Sequence, residues 1–133
     1  MLPRSRLTIG RIDHVLLLVR GMPEALAFYE TVLGCAVESR LPRYGMAELR
    51  AGDSHLDLVD IDAPEGAWAL PPVAGGRNID HVALRVESHG PPALRDHLRE
   101  CGVDVVEERV EADTTSLYVR DPSGNTIELI SAN

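Results

Sequence analysis

The stretch "RIDHVLLLV" (residues 11–19) is echoed by "NIDHVALRV" (residues 78–86), and both contain Ile-Asp-His-Val, at 12–15 and at 79–82. The apolar residues after each histidine have strand character. Successive side chains of a strand point to opposite faces. His14, Leu16 and Leu18 therefore share a face, as do His81, Ala83 and Arg85. A histidine written twice into the same strand context points to a longer internal repeat.

The repeat runs the length of the chain. In the first unit the strand-like "IDHVLLLV" (12–19) is followed by "MPEALAFYETVLG" (22–34). Its Ala25, Phe28, Val32 and Leu33 lie at helical spacing, Pro23 suits a first turn, and Gly34 supplies a stop. Three short strand-like segments follow, at 35–41, 44–52 and 55–61. The second unit repeats the order: a strand at 79–86, a helix at 91–102 ending in Gly102, and strands at 103–110, 115–121 and 125–131. "DPSG" (121–124) places Pro and Gly where a tight turn wants them. The offset between units is nearly constant: 81 − 14 = 67, 102 − 34 = 68 and 128 − 57 = 71. The spacing predicts one domain over 1–133, with module one at about 11–62, a linker or flap at 63–77 that carries Trp68, and module two at about 78–131. Each module reads βαβββ, an α+β arrangement. One module alone cannot bury both its sheet face and its helix. Two can, as a curved mixed sheet with helices outside.

Composition narrows the partners. The chain has 133 residues, enough for one domain with a core, and its aromatics are only 4%, so that core is aliphatic. A net charge of −8 argues against a nucleic-acid surface, which needs a basic footprint. The apolar run at 15–19 is far too short to span a bilayer, and "MLPRSRL" has no apolar stretch behind it of the kind a signal peptide needs. Cys35 and Cys101 do not make a disulfide framework. A cytoplasmic protein with no nucleic-acid or membrane partner is expected.

Four side chains stand out. The repeat sets one imidazole and one carboxylate in each half: His14 with Asp57, and His81 with Glu128. Two imidazoles with one or two carboxylates form a divalent-metal set that leaves positions open for substrate. A lone strand histidine is more often a hydrogen-bonded core residue, Glu128 alone could simply face solvent, and duplication copies residues without function. Against this, ionisable groups on a core-like face are costly unless something compensates, and a metal does so. His55 shares the Asp57 face. His89 and His97 are expected to be solvated, Cys101 has no evident activating base, and "EERVEAD" (107–113) reads as an acidic edge.

The quoted motifs, together with "ALAFYETVLG" (25–34) and "LYVRDPSGNTIELI" (117–130), resemble the vicinal oxygen chelate superfamily of glyoxalases, bleomycin-resistance proteins and dioxygenases. The resemblance covers about residues 11–131. It implies paired βαβββ modules forming a U-shaped sheet around a metal held by His14, Asp57, His81 and Glu128. It also implies a homodimer. Glyoxalase I-like members carry Glu or His where this chain has Asp57, whose carboxylate reaches about 1.5 Å less far than a glutamate's. His14, His81 and Glu128 would still suffice as three ligands, leaving Asp57 as a ligand, a water-bridged partner or a base. Tyr118 lies where relatives line the site with a tyrosine. Tyr118, His55 and Arg85 are the substrate-binding candidates, with Glu128, Asp57 and Tyr118 the catalytic ones.

The resemblance implies a divalent-metal enzyme (Zn, Ni, Mn or Fe) acting on a small substrate with vicinal oxygens. Lactoylglutathione-lyase-like or isomerase chemistry is favoured. An extradiol-type dioxygenase and a metal-free, bleomycin-resistance-like binding protein are the alternatives.

Overall fold

The computed structural model describes residues 12–133 except Pro72, Arg77, Asn78 and Asp80. The amino-terminal stretch, and the Asp80 position of the repeated motif, therefore lie outside the described residues. The first half holds β1 (His14–Val19), α1 (Met22–Ala27), β2 (Ala36–Leu41), β3 (Met46–Ala51) and β4 (Ser54–Asp60). The second holds β5 (Val82–Val86), α2 (Pro91–Glu100), β6 (Glu107–Val110), β7 (Thr114–Arg120) and β8 (Thr126–Ala132). The expected α+β order of βαβββ twice is observed. The eight strands form two four-stranded mixed sheets, ordered β1-β4-β3-β2 and β5-β8-β7-β6. In each, the first strand runs parallel to the last, and the other neighbours are antiparallel.

Alternation explains why these strands form. One face of the first sheet carries Leu17, Val19, Leu49, Leu56 and Leu58, all buried. The same face of the second carries Leu117, Val119, Ile127 and Leu129, and both sets join one core with Leu94 and Leu98 of α2. The opposite face of each sheet holds the histidines and carboxylates. Two elements differ from expectation. α1 ends at Ala27 and the chain widens into a π-helical turn over Phe28–Val32, with Leu33 N–H donating to Phe28 O at 3.3 Å. The wide turn directs Phe28 and Tyr29 inward together. β6 is shorter than the 103–110 segment and starts at Glu107, next to Val106, whose N–H already donates to Tyr118 O at 2.8 Å. Gly34 and Gly102 both close their helices at φ 71°, a left-handed backbone that suits glycine.

The two halves are joined by a polar knot. The buried Asp121 carboxylate accepts hydrogen bonds from Tyr29 Oη (2.9 Å), from the Ser123 and Asn125 amides, and from Asn125 Nδ2. Asn125 Nδ2 also donates to Leu18 O of β1 at 2.9 Å, and Arg20 N–H donates to Ser123 Oγ at 2.8 Å. Burial of the Tyr29 hydroxyl beside this carboxylate raises its pKa far above the ordinary phenol range. At the other end His97 Nε2 lies 2.7 Å from Val32 O. His97 is therefore half-buried and bonded across to the π-helical turn, not solvated as its helix position suggested, because that side of α2 faces the turn.

The segment after β4 is held by two close contacts. Gly66, in a short 3₁₀ turn (Pro64–Gly66), sits on the Asp60 carbonyl, and Trp68 Nε1 donates to Tyr44 O at 2.9 Å. Among the described residues, no helix is long and apolar enough to cross a membrane.

Candidate functional site

Register alone assembles the first half of the site. In the parallel β1–β4 pair, His14 stands beside His55 and Leu16 beside Asp57. In the antiparallel β3–β4 pair, Glu48 stands beside Asp57. Paired residues share a face, so His14, His55, Asp57 and Glu48 project to one side. His14 Nδ1 lies 2.8 Å from Asp13 Oδ1 and donates to it. That bond places the lone pair of the neutral ring on Nε2, which stands 3.6 Å from Asp57 Oδ2. The hydrogen bond to Asp13 and the charge of Asp57 raise the His14 pKa. Asp57 is almost fully buried, and burial raises its carboxyl pKa against the opposing pull of His14, with Glu48 adding to the rise. His55 Nε2 lies 3.0 Å from Glu38 Oε2, so its ring is engaged on the β2 side.

The second half is built on the same register. Ala83 stands beside Glu128, and Tyr118 beside Glu128. His81 precedes β5, and its Nε2 lies 3.2 Å from Glu128 Oε1. Ser116 Oγ donates to Glu128 Oε2 at 3.0 Å, and the Tyr118 hydroxyl donates to the same carboxylate. The Tyr118 ring meets the His81 ring edge-on, with centroids 5.8 Å apart. Burial alone would raise the Glu128 pKa. The Tyr118 and Ser116 hydrogen bonds, with the charges of His81 and Arg109, outweigh it and hold the carboxyl below its ordinary range. The same bond raises the Tyr118 pKa. Two repeat-related carboxylates are thus pushed in opposite directions, Asp57 upward and Glu128 downward.

Each pair offers a part-exposed imidazole nitrogen and a largely buried carboxylate oxygen a few ångströms apart. Neither is a complete metal site. Within one chain, the described residues hold no group of three or more His, Cys, Asp or Glu placed to bind a metal ion. The four expected ligands therefore come together as two pairs, not as one cluster. A cavity of about 680 Å³ opens elsewhere, between the end of α1, the β3–β4 turn and the β5 end, and none of the four lines it. Arg85, on the His81 face of β5, lines that cavity and is exposed. Cys101 Sγ is 3.8 Å from His97 Nε2, so an imidazole does neighbour this thiol, although that nitrogen is taken by Val32 O. Burial pushes the Cys35 thiol up to about 11, and both cysteines are free.

Four contributing residues escaped the sequence reading: Asp13, Glu48, Ser116 and Arg109. Asp13 was within the repeated motif itself, and Glu48 is the register counterpart of Tyr118, since 118 − 48 equals 128 − 57 less one. Ser116 and Arg109 carried no such mark.

Comparison with known proteins gives the family. The chain is 30% identical over 128 residues to a probable lactoylglutathione lyase of Vibrio parahaemolyticus, covering 91% of this chain and 90% of the relative. It is 24% identical over 128 residues to the mitochondrial methylmalonyl-CoA epimerase of Homo sapiens, covering 74% and 73% respectively. The crystal structure of Virulence protein STM3117 from Salmonella typhimurium superposes with a TM-score of 0.68 at 27% identity, covering 94% of this chain and 98% of that one. A family profile matches residues 11–129, and the chain belongs to the Glyoxalase/Bleomycin resistance protein/Dioxygenase superfamily.

Proposed function

We propose that the protein is a divalent-metal-dependent enzyme whose site is completed by two protomers. The carrying observation is the separation of the ligands into two open pairs, His14 with Asp57 and His81 with Glu128. A twofold dimer brings the first pair of one protomer against the second pair of its partner, and does so twice. The three ligands, the neutral His14 and His81 imidazole nitrogens and the Glu128 carboxylate, with the Asp57 carboxyl beside them, then suit Zn, Ni, Mn or Fe. Asp13 fixes the His14 ring so that Nε2 is the binding nitrogen, while Ser116 and Tyr118 orient the Glu128 carboxylate, the supporting contacts that metal ligands require.

A divalent ion in this position supplies Lewis-acid polarisation of adjacent substrate oxygens. The chain's residues divide the remaining work by their environments. Glu128 stays ionised under its three hydroxyl and imidazole partners and serves as a ligand. Asp57, buried and disposed to hold a proton, takes a proton from substrate carbon and returns it. Tyr118 faces the substrate beside His81. This favours lyase or isomerase chemistry on a small substrate with vicinal oxygens, and the lyase and epimerase among the relatives support it. A cytoplasmic homodimer is the form in which we expect it to work.

The experiment is metal analysis of protein purified without chelator or a nickel column, combined with light scattering. One ion per chain in a dimer is expected. A metal-free monomer would favour a ligand-binding protein instead.

A further inference from the structure

The acidic run over 107–113 contains a single cation, Arg109. β6 carries Glu108 on one side and Glu107 and Arg109 on the other. Glu108 pairs with Arg95 of α2. Arg109 stands beside Ser116 in the β6–β7 register, on the face that carries Tyr118 and Glu128. Its guanidinium carbon is 5.9 Å from the Tyr118 ring centroid, a cation–π distance. Its charge reaches both Tyr118 and Glu128. Among the described residues no carboxylate forms an ion pair with it.

Duplication does not account for this arginine. In module one, the Ser116 and Arg109 pair corresponds to Met46 and Leu41, both apolar. The cation stands in one module only at this position. The opposing pair is surrounded by Asp13, Glu48 and Asp57, and the whole chain carries −8. Arg109 sets a cation within that field, on the same face as Glu107, which stands beside Tyr118.

We propose that Arg109 holds an oxyanion of the substrate, a carboxylate or its phosphonate equivalent, beside the Tyr118 and Glu128 end of the site. This rests on the proposed metal-dependent reading and narrows it to substrates with an anionic arm beyond the vicinal oxygens. Arg109 presents a planar set of N–H donors that matches a carboxylate, and the Tyr118 ring holds it in place.

The test uses manganese-loaded protein and two probes with the same 2-hydroxy-acid end. 2-Hydroxybutyrate has an apolar tail, and 2-hydroxyglutarate carries a second carboxylate. Calorimetry should show the parent preferring 2-hydroxyglutarate by about tenfold or more, the scale of one charge-assisted hydrogen bond. Arg109→Gln should reduce that ratio to near one, and Arg109→Lys should keep part of it. Arg95→Gln, which removes a nearby cation on the other side of β6, should keep it whole. An unchanged ratio in Arg109→Gln, or no preference in the parent, overturns the inference. If the parent takes up no manganese, the metal-dependent reading fails, and titration of the metal-free dimer with inorganic phosphate decides the inference. Phosphate binding that Arg109→Gln abolishes upholds it. Equal binding, or none in the parent, overturns it.

Discussion

Glu128 Oε1 lies 3.2 Å from His81 Nε2, whereas the repeat-related Asp57 Oδ2 lies 3.6 Å from His14 Nε2. The shorter side chain stands farther from its imidazole, and is the more deeply buried of the two carboxylates. In the proposed site, His81 and Glu128 are a pair of ligands, and His14 is a ligand beside the proton-carrying Asp57. Unequal losses on substitution follow. His14→Ala, His81→Ala and Glu128→Ala should each lower metal affinity by far more than the roughly 10–100-fold typical of supporting residues. Asp57→Ala should fall within that range and abolish turnover, and Asp57→Glu should restore or tighten binding. Metal titration of the five variants, with folding checked by circular dichroism, reads this directly. Loss in Asp57→Ala as complete as in His81→Ala would make Asp57 a full ligand.

Metal occupancy should depend on pH through the histidines. Protons compete for imidazole, so occupancy should fall as pH drops through about 6.5, the ordinary histidine range. The raised His14 pKa moves its share of that loss to higher pH, because the protonated ring is favoured there. Equilibrium dialysis between pH 8 and 5 measures it, and a flat profile would exclude histidine ligation.

The Tyr29–Asp121 bond is the tie between the halves. Tyr29→Phe removes one donor to a buried carboxylate, at an expected cost of about 1.5–3 kcal/mol. Urea denaturation should show a lower midpoint with an unchanged slope. Gly66→Ala tests the segment after β4: a Cβ there would lie 1.9 Å from Asp60 O, and a backbone that must shift costs about 1–3 kcal/mol.

Much of this was visible in the sequence. Gly34 and Gly102 mark the helix ends because only a residue free of a Cβ penalty takes φ 71° readily. His14 and His81 were visible because the motif is repeated. Arg109 was not, because its meaning depends on pairing with Ser116 across a strand gap that no local pattern encodes. Nor was the π-helical turn, which tertiary burial of Tyr29 imposes on an otherwise helical spacing.

Asp60 contributes to the acid limb of stability. Burial would raise its pKa, but the Gly21 and Met22 amides at the start of α1, donating at 3.1 and 3.0 Å, outweigh it and hold it low. A depressed carboxyl contributes stability above its unfolded value, near about 3.9, and loses it as pH falls through the lower folded value. Asp60→Asn should cost about 1 kcal/mol at neutral pH, the scale of a lost helix cap, and should flatten the acid limb below pH ~4. Thermal melts across pH 2–7 would show the difference shrinking toward acid, and a pH-independent difference would contradict it.

Mixing complementary variants tests the two-protomer site most directly. One protein carries His14→Ala with Asp57→Ala, the other His81→Ala with Glu128→Ala, and neither alone should bind metal. Unfolded together and refolded, half the dimers are mixed, and each mixed dimer has one intact site joining the first pair of one protomer to the second pair of its partner. The account predicts metal at about one quarter of the parent's content by this symmetry argument. No recovery above the separate variants would contradict it, and would place all four groups within a single chain or nowhere.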